Sequence, residues 1–75
     1  MTTANLVREM SLQMAAGGAT GLRVEELLAA CGGRRVALVA ARQELARMQE
    51  EDPSSEVIAR GIELISEALR VGTWD

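Results

Sequence analysis

The stretch Asp52-Pro53-Ser54-Ser55-Glu56-Val57-Ile58-Ala59-Arg60-Gly61-Ile62-Glu63-Leu64-Ile65-Ser66-Glu67-Ala68-Leu69-Arg70-Val71 decides the fold. Val57, Ile58, Gly61, Ile62, Leu64, Ile65, Ala68 and Leu69 recur at helical spacing and cover well over half of the helix circumference. Glu56, Arg60, Glu63, Glu67 and Arg70 are left as a narrow polar strip. A face that wide belongs to a helix packed on more than one side, either at the centre of a small bundle or half inside another protein. Asp52 is biased away from helical geometry by the proline that follows it. It also makes a good N-cap, with Pro53 at the first helical position, where a missing N–H costs nothing. The helix is therefore expected over 53–71.

Upstream, residues 34–51 read as a second long helix. Leu38, Ala41, Leu45 and Met48 keep a heptad-like spacing, and Arg47 can reach Glu51 one turn on. Its opening, Arg34-Arg35-Val36-Ala37-Leu38-Val39, could instead be a short strand, because periodicity alone does not settle so short an apolar run. A link of about three residues between the two helices predicts an antiparallel αα-hairpin. Gly61, inside a helix at a cost of about 1 kcal/mol relative to alanine, suits a close helix–helix approach, though drift would also account for it.

Glycine pairs punctuate the amino-terminal half. A helix over 3–16 carries Leu6, Val7, Met10 and Met14 on one face, with Thr2 or Thr3 as N-cap and Gly17-Gly18 as its stop. Met10 and Met14 are either core filler or an adaptable docking surface, since methionine repacks readily. A shorter helix over 22–31 places Val24, Leu27, Leu28 and Cys31 on one stripe, with Glu25 and Glu26 in its first turns, where the helix dipole favours negative charge. Gly32-Gly33 ends it through a left-handed cap. Cys31 on that stripe reads as a buried small hydrophobe, although Arg34 and Arg35 nearby could activate an exposed thiol.

Composition agrees with an all-α fold, a small bundle of three or four helices in one domain over 1–75. The chain is 48% apolar yet has a single aromatic residue, Trp74, so its core is built from helix-favouring aliphatic side chains. Trp74 either folds back over the hairpin or serves as an interface anchor. All eight basic residues are arginine, which we read as codon bias in a GC-rich genome. One cysteine allows no internal disulfide, and with no histidine no metal site of the usual thiolate–imidazole kind is expected. A 75-residue domain without such staples is marginal, and association is the remaining source of stability. A net charge of −3 gives no general attraction to nucleic acid or anionic membranes. The sequence lacks a membrane span and a signal-peptide pattern, so a cytoplasmic setting is expected, the alternative being export by a route that uses no classical signal.

Histidine, tyrosine and lysine are absent, and with them most general bases and activators of serine. Neither glycine pair forms a phosphate loop, and Gly32-Gly33-Arg34-Arg35 is only a weak anion-binding signal. No enzyme, cofactor or small-molecule substrate is expected. The expectation is a protein-binding adaptor, chaperone or assembly subunit that uses Val57, Ile58, Ile62, Ile65 and Leu69, with Trp74, Met10 and Met14 as further contact candidates.

Two resemblances sharpen this. Ala41-Arg42-Gln43-Glu44-Leu45-Ala46-Arg47, the break at Pro53 and Gly61-Ile62-Glu63-Leu64-Ile65-Ser66 resemble the small helical-hairpin co-chaperones that hold type III secretion needle subunits in the bacterial cytoplasm. The resemblance implies a helical partner on Val57, Ile58, Ile62, Ile65 and Leu69. The stretch between the matching runs is about two turns short of the family pattern, and the amino-terminal glycine pairs have no counterpart in it. Separately, Ser54 to Ile65 resembles the second helix of ribbon–helix–helix repressors and antitoxins, which implies a dimeric DNA-binding regulator with its strand at Arg34 to Val39. On the protein-binding reading, Ile62→Asp puts a charge into the wide apolar face. It is expected to abolish association in a binding assay, with circular dichroism reporting whether the chain stays folded.

Overall fold

The computed structural model describes residues 2–17 and 21–72, and of Gly21, Leu22 and Arg23 the backbone alone. Four helices follow one another: α1 (Thr3–Gly17), α2 (Gly21–Ala30), α3 (Arg35–Glu51) and α4 (Glu56–Val71). No strand occurs among the described residues. The radius of gyration, 11.1 Å, matches the roughly 11 Å expected of a compact chain of this length.

Local chemistry sets the boundaries. Thr2 caps α1: its Oγ1 accepts from the Asn5 amide at 3.2 Å, and its carbonyl accepts from Leu6 at 3.1 Å. After α2, Gly32 and Gly33 take φ of 61° and 77°, the left-handed region open to glycine at little cost. With Cys31, they turn the chain tightly enough for the Arg34 amide to reach the Cys31 carbonyl at 3.0 Å.

The strand alternative for Arg34 to Val39 is overturned. Arg34 alone is extended and α3 begins at Arg35. Ala37 and Leu38, adjacent in sequence, are both buried while Val36 is 79% exposed. A period of two cannot bury neighbours on one face, whereas a helix can. The ribbon–helix–helix resemblance thereby loses the strand it requires.

The junction of α3 and α4 also corrects the expected one. Asp52 ends α3, with its amide on the Met48 carbonyl at 2.9 Å, and does not cap α4. Pro53 occupies the second position of a turn closed by the Ser55 amide on the Asp52 carbonyl at 3.2 Å, a place that its fixed φ favours. The N-cap of α4 is Ser55, whose Oγ accepts from the Ile58 amide at 3.3 Å. The helix therefore starts at Glu56 and the connection runs over Asp52–Ser55. Arg47 pairs back with Glu44 instead of reaching Glu51.

Packing follows from the apolar faces. α4 touches each of the other three helices, and its Ile58, Gly61, Leu64, Ile65 and Ala68 are buried; the wide face thus lies at the centre of the bundle. α1, α3 and α4 contact one another pairwise, while α2 packs on α1 and α4 without meeting α3. The core holds Val7 and Met14 of α1, Val24, Leu27 and Cys31 from α2 and its end, and Ala37, Leu38, Ala41 and Leu45 of α3.

Gly61 marks a close approach. A Cβ placed there would lie 3.3 Å from Leu45 Cδ1 and 3.8 Å from both Leu12 Cδ2 and the Ser11 backbone. The close-approach reading of this glycine therefore holds. Ser11, fully buried opposite it, satisfies its hydroxyl by donating to the Val7 carbonyl at 2.7 Å. Gly61→Val is expected to destabilise the fold by about 1–3 kcal/mol, because crowding in a filled core outweighs the better helix propensity. Urea unfolding followed by circular dichroism measures it; an unchanged midpoint would place this contact elsewhere.

Candidate partner-binding surface

The residues expected to meet a partner divide into three sets. Ile58, Ile65 and Met14 are 7%, 0% and 5% exposed and belong to the core of the chain itself. Ile62, Leu69 and Met10 are half-buried and lean against that core. Val57 is 38% exposed, on the first turn of α4. Trp74 lies outside the described residues. These positions do not form one surface: Met10 and Met14 line a groove with Gln13 and Glu26, while Ile62 and Ser66 line another along the outer side of α4.

A different surface emerges from the topology. α3 and α4 form an antiparallel hairpin of nearly equal arms, 17 and 16 residues, so the end of α4 returns to the start of α3. The start of α1 lies there too, since Thr3 and Ala4 share a groove of about 240 Å³ with Arg34, Val36, Ala37 and Ala40. Among the described residues, four large apolar side chains are exposed: Leu6 at 42%, Val36 at 79%, Val71 at 53% and Val57 at 38%. Val36 lines the groove at this end; Val71, which ends α4, and Leu6, early in α1, belong to the same end by topology but lie outside the groove's lining. Single exposed valines are ordinary, but apolar side chains gathered at one end call for an explanation.

Charge is divided along the same axis. Arg34 and Arg35 stand at the apolar end, exposed, and neither takes part in the ion pairs found among the described residues. Glu50, Glu51, Asp52 and Glu56 stand exposed at the opposite end, equally without ion pairs. The pairs that do form run along the helix sides, as Arg60–Glu63 at 2.7 Å and Arg70–Glu67 at 3.6 Å. On α3 the placement runs against the helix dipole at both ends: arginines at the start, no acid in the first turn, glutamates at the finish and no base in the last turn. A helix selected for its own stability would carry the reverse.

Reactive groups are not concentrated anywhere in the described part. Cys31 is buried, and its thiol donates to the Leu28 carbonyl at 3.0 Å, in line with the reading of a small core residue. No three or more Asp, Glu, Cys or His gather in metal-binding distance among the described residues. Arg8 keeps one Nη2 on Glu9 at 3.0 Å while its Nε is buried without a partner. None of the described helices is long and apolar enough to cross a membrane. The groove at the start of α1 and α3 thus joins an apolar lining of Ala4, Val36, Ala37 and Ala40 to the charge of Arg34.

Sequence reasoning missed Val36 and the groove beside it because the strand alternative left its side undecided. The signal was present: once Leu38, Ala41 and Leu45 set the phase, Val36 falls outside their stripe. Arg35→Glu is expected to leave the isolated protein as stable or slightly more stable, since it exchanges a base for an acid at a helix start. Thermal unfolding at low salt tests this, and a marked loss of stability would show that Arg35 supports the fold.

Compared with protein-family models, curated proteins and solved structures, the chain has no significant match among any of them.

Proposed function

We propose that this chain is a small, non-catalytic assembly or adaptor subunit that takes a protein partner on the end of the bundle where α1 and α3 begin. The observation that carries the reading is Val36, a large apolar side chain 79% exposed in the wall of an alanine-lined groove that Arg34 also lines, with the exposed Arg35 between them in sequence. Covering such a group removes apolar surface from water, the main source of association energy. A short chain with one aromatic residue and no internal disulfide has reason to gain stability that way.

The setting that fits is the cytoplasm of a bacterium, where the thiol of Cys31 stays reduced. The α3–α4 hairpin is also the feature that the needle co-chaperone resemblance calls for. On that more specific reading the partner is a helical secretion subunit, held against the half-buried flank of α4 around Ile62 and Leu69. DNA binding is not carried forward, because it rested on a strand at Arg34 to Val39.

The test is affinity capture of the tagged chain from nuclease-treated lysate of its native host, run beside Val36→Asp and Ile62→Asp and read by mass spectrometry. Val36→Asp should keep its helical spectrum, because the side chain is largely in water already, and lose a stoichiometric partner. Loss through Ile62→Asp alone, with the variant still folded, would move the surface to α4; a secretion subunit as that partner would single out the co-chaperone reading. Full recovery of every partner by both folded variants would overturn the proposal.

A further inference from the structure

Resting on that reading, the partner's chemistry can be taken one step further. The two ends of the bundle are complementary. One presents a groove with Val36 exposed beside it and the free cations Arg34 and Arg35. The other presents the exposed Val57, with Glu56 next to it and Glu51 and Asp52 across the turn. A groove edged with base and an apolar side chain flanked by acid are a matched pair, and complementary charge sets register as well as attraction. We infer that the partner of the α1–α3 end is a second copy of this chain, docked head to tail through its α3–α4 turn.

Three observations favour a second copy over an unrelated acidic protein. The acidic end belongs to the same molecule and carries an exposed apolar side chain, Val57, to set against the apolar lining of the groove. The charges on α3 oppose its dipole at both ends, so the intramolecular cost falls at the two places where a neighbour would offset it. Stacked head to tail, the positive start of α3 in one copy faces the negative finish of α3 in the next. The two surfaces differ, so the contact is heterologous and generates a ring or an open filament instead of a closed symmetric dimer.

Salt distinguishes this arrangement from nonspecific contact. With a net charge of −3, copies repel as whole molecules, and added salt relieves that repulsion. Complementary ends act in the opposite sense, because screening weakens them. Sedimentation velocity of the purified chain over a wide concentration range should therefore show association that strengthens at low salt, with apparent affinity falling about tenfold or more at high salt.

Two neutralised variants test the geometry. Arg34→Gln with Arg35→Gln silences one end; Glu51→Gln with Glu56→Gln silences the other. These side chains are exposed, so both proteins should keep the wild-type circular dichroism spectrum. Each alone should stay monomeric. Mixed, they retain one functional end each and should form a one-to-one dimer that grows no further. A wild-type chain that is monomeric throughout at low salt overturns the inference, as does a dimer indifferent to all four changes. Capture of a different protein lost through Val36→Asp, alongside such a monomer, would leave the binding end standing and reject only the second copy as its occupant.

Discussion

The near-contact of Gly61 with Leu45 and Leu12 is the constraint on which the rest of the bundle depends. Among the described residues the core contains no aromatic side chain, so it has no large rigid group to fill space between helices. Close packing must then come from bringing backbones together. Gly61 and the buried Ser11 allow α4 to approach α1 at that point, and Ala41 and Ala68 are small enough to be buried completely. The wide apolar face of α4 follows: a helix at the centre of three close neighbours has little side to leave in water.

Much of this was legible in the chain. The glycine pairs, the phase of Leu38, Ala41 and Leu45, and the wide face after Pro53 place four helices and a hairpin near their observed bounds. What failed did so where two local solutions compete. Asp52 and Ser55 are both good caps, and the expected one would start α4 three residues early. The proline decides between them through the turn that it nucleates, a feature of backbone closure that side-chain preference does not carry. The run Arg34 to Val39 was ambiguous for the converse reason: its letters suit either state, and only the neighbours it packs against choose.

The surface was harder to read than the core. Periodicity reports which residues avoid water but not which neighbour covers them, so Ile58 and Ile65 counted as contact candidates when their partners were other helices of the same chain. Val36 and the divided charges belong to no periodic pattern. They become a surface only when the hairpin and α1 bring residues 3, 4, 34, 36 and 71 to one end. Sequence distance hides that arrangement.

The arrangement of α2 has a consequence of a different kind. Ten residues long, it rests on α1 and α4 and not on α3. Short and held by two neighbours, it is the element where a local opening below the free energy of global unfolding is expected first. Cys31, at the end of α2 with its sulfur in the core, is the group such an opening would release. Access of a small alkylating reagent to that thiol is therefore expected to report opening at α2 before the bundle as a whole comes apart.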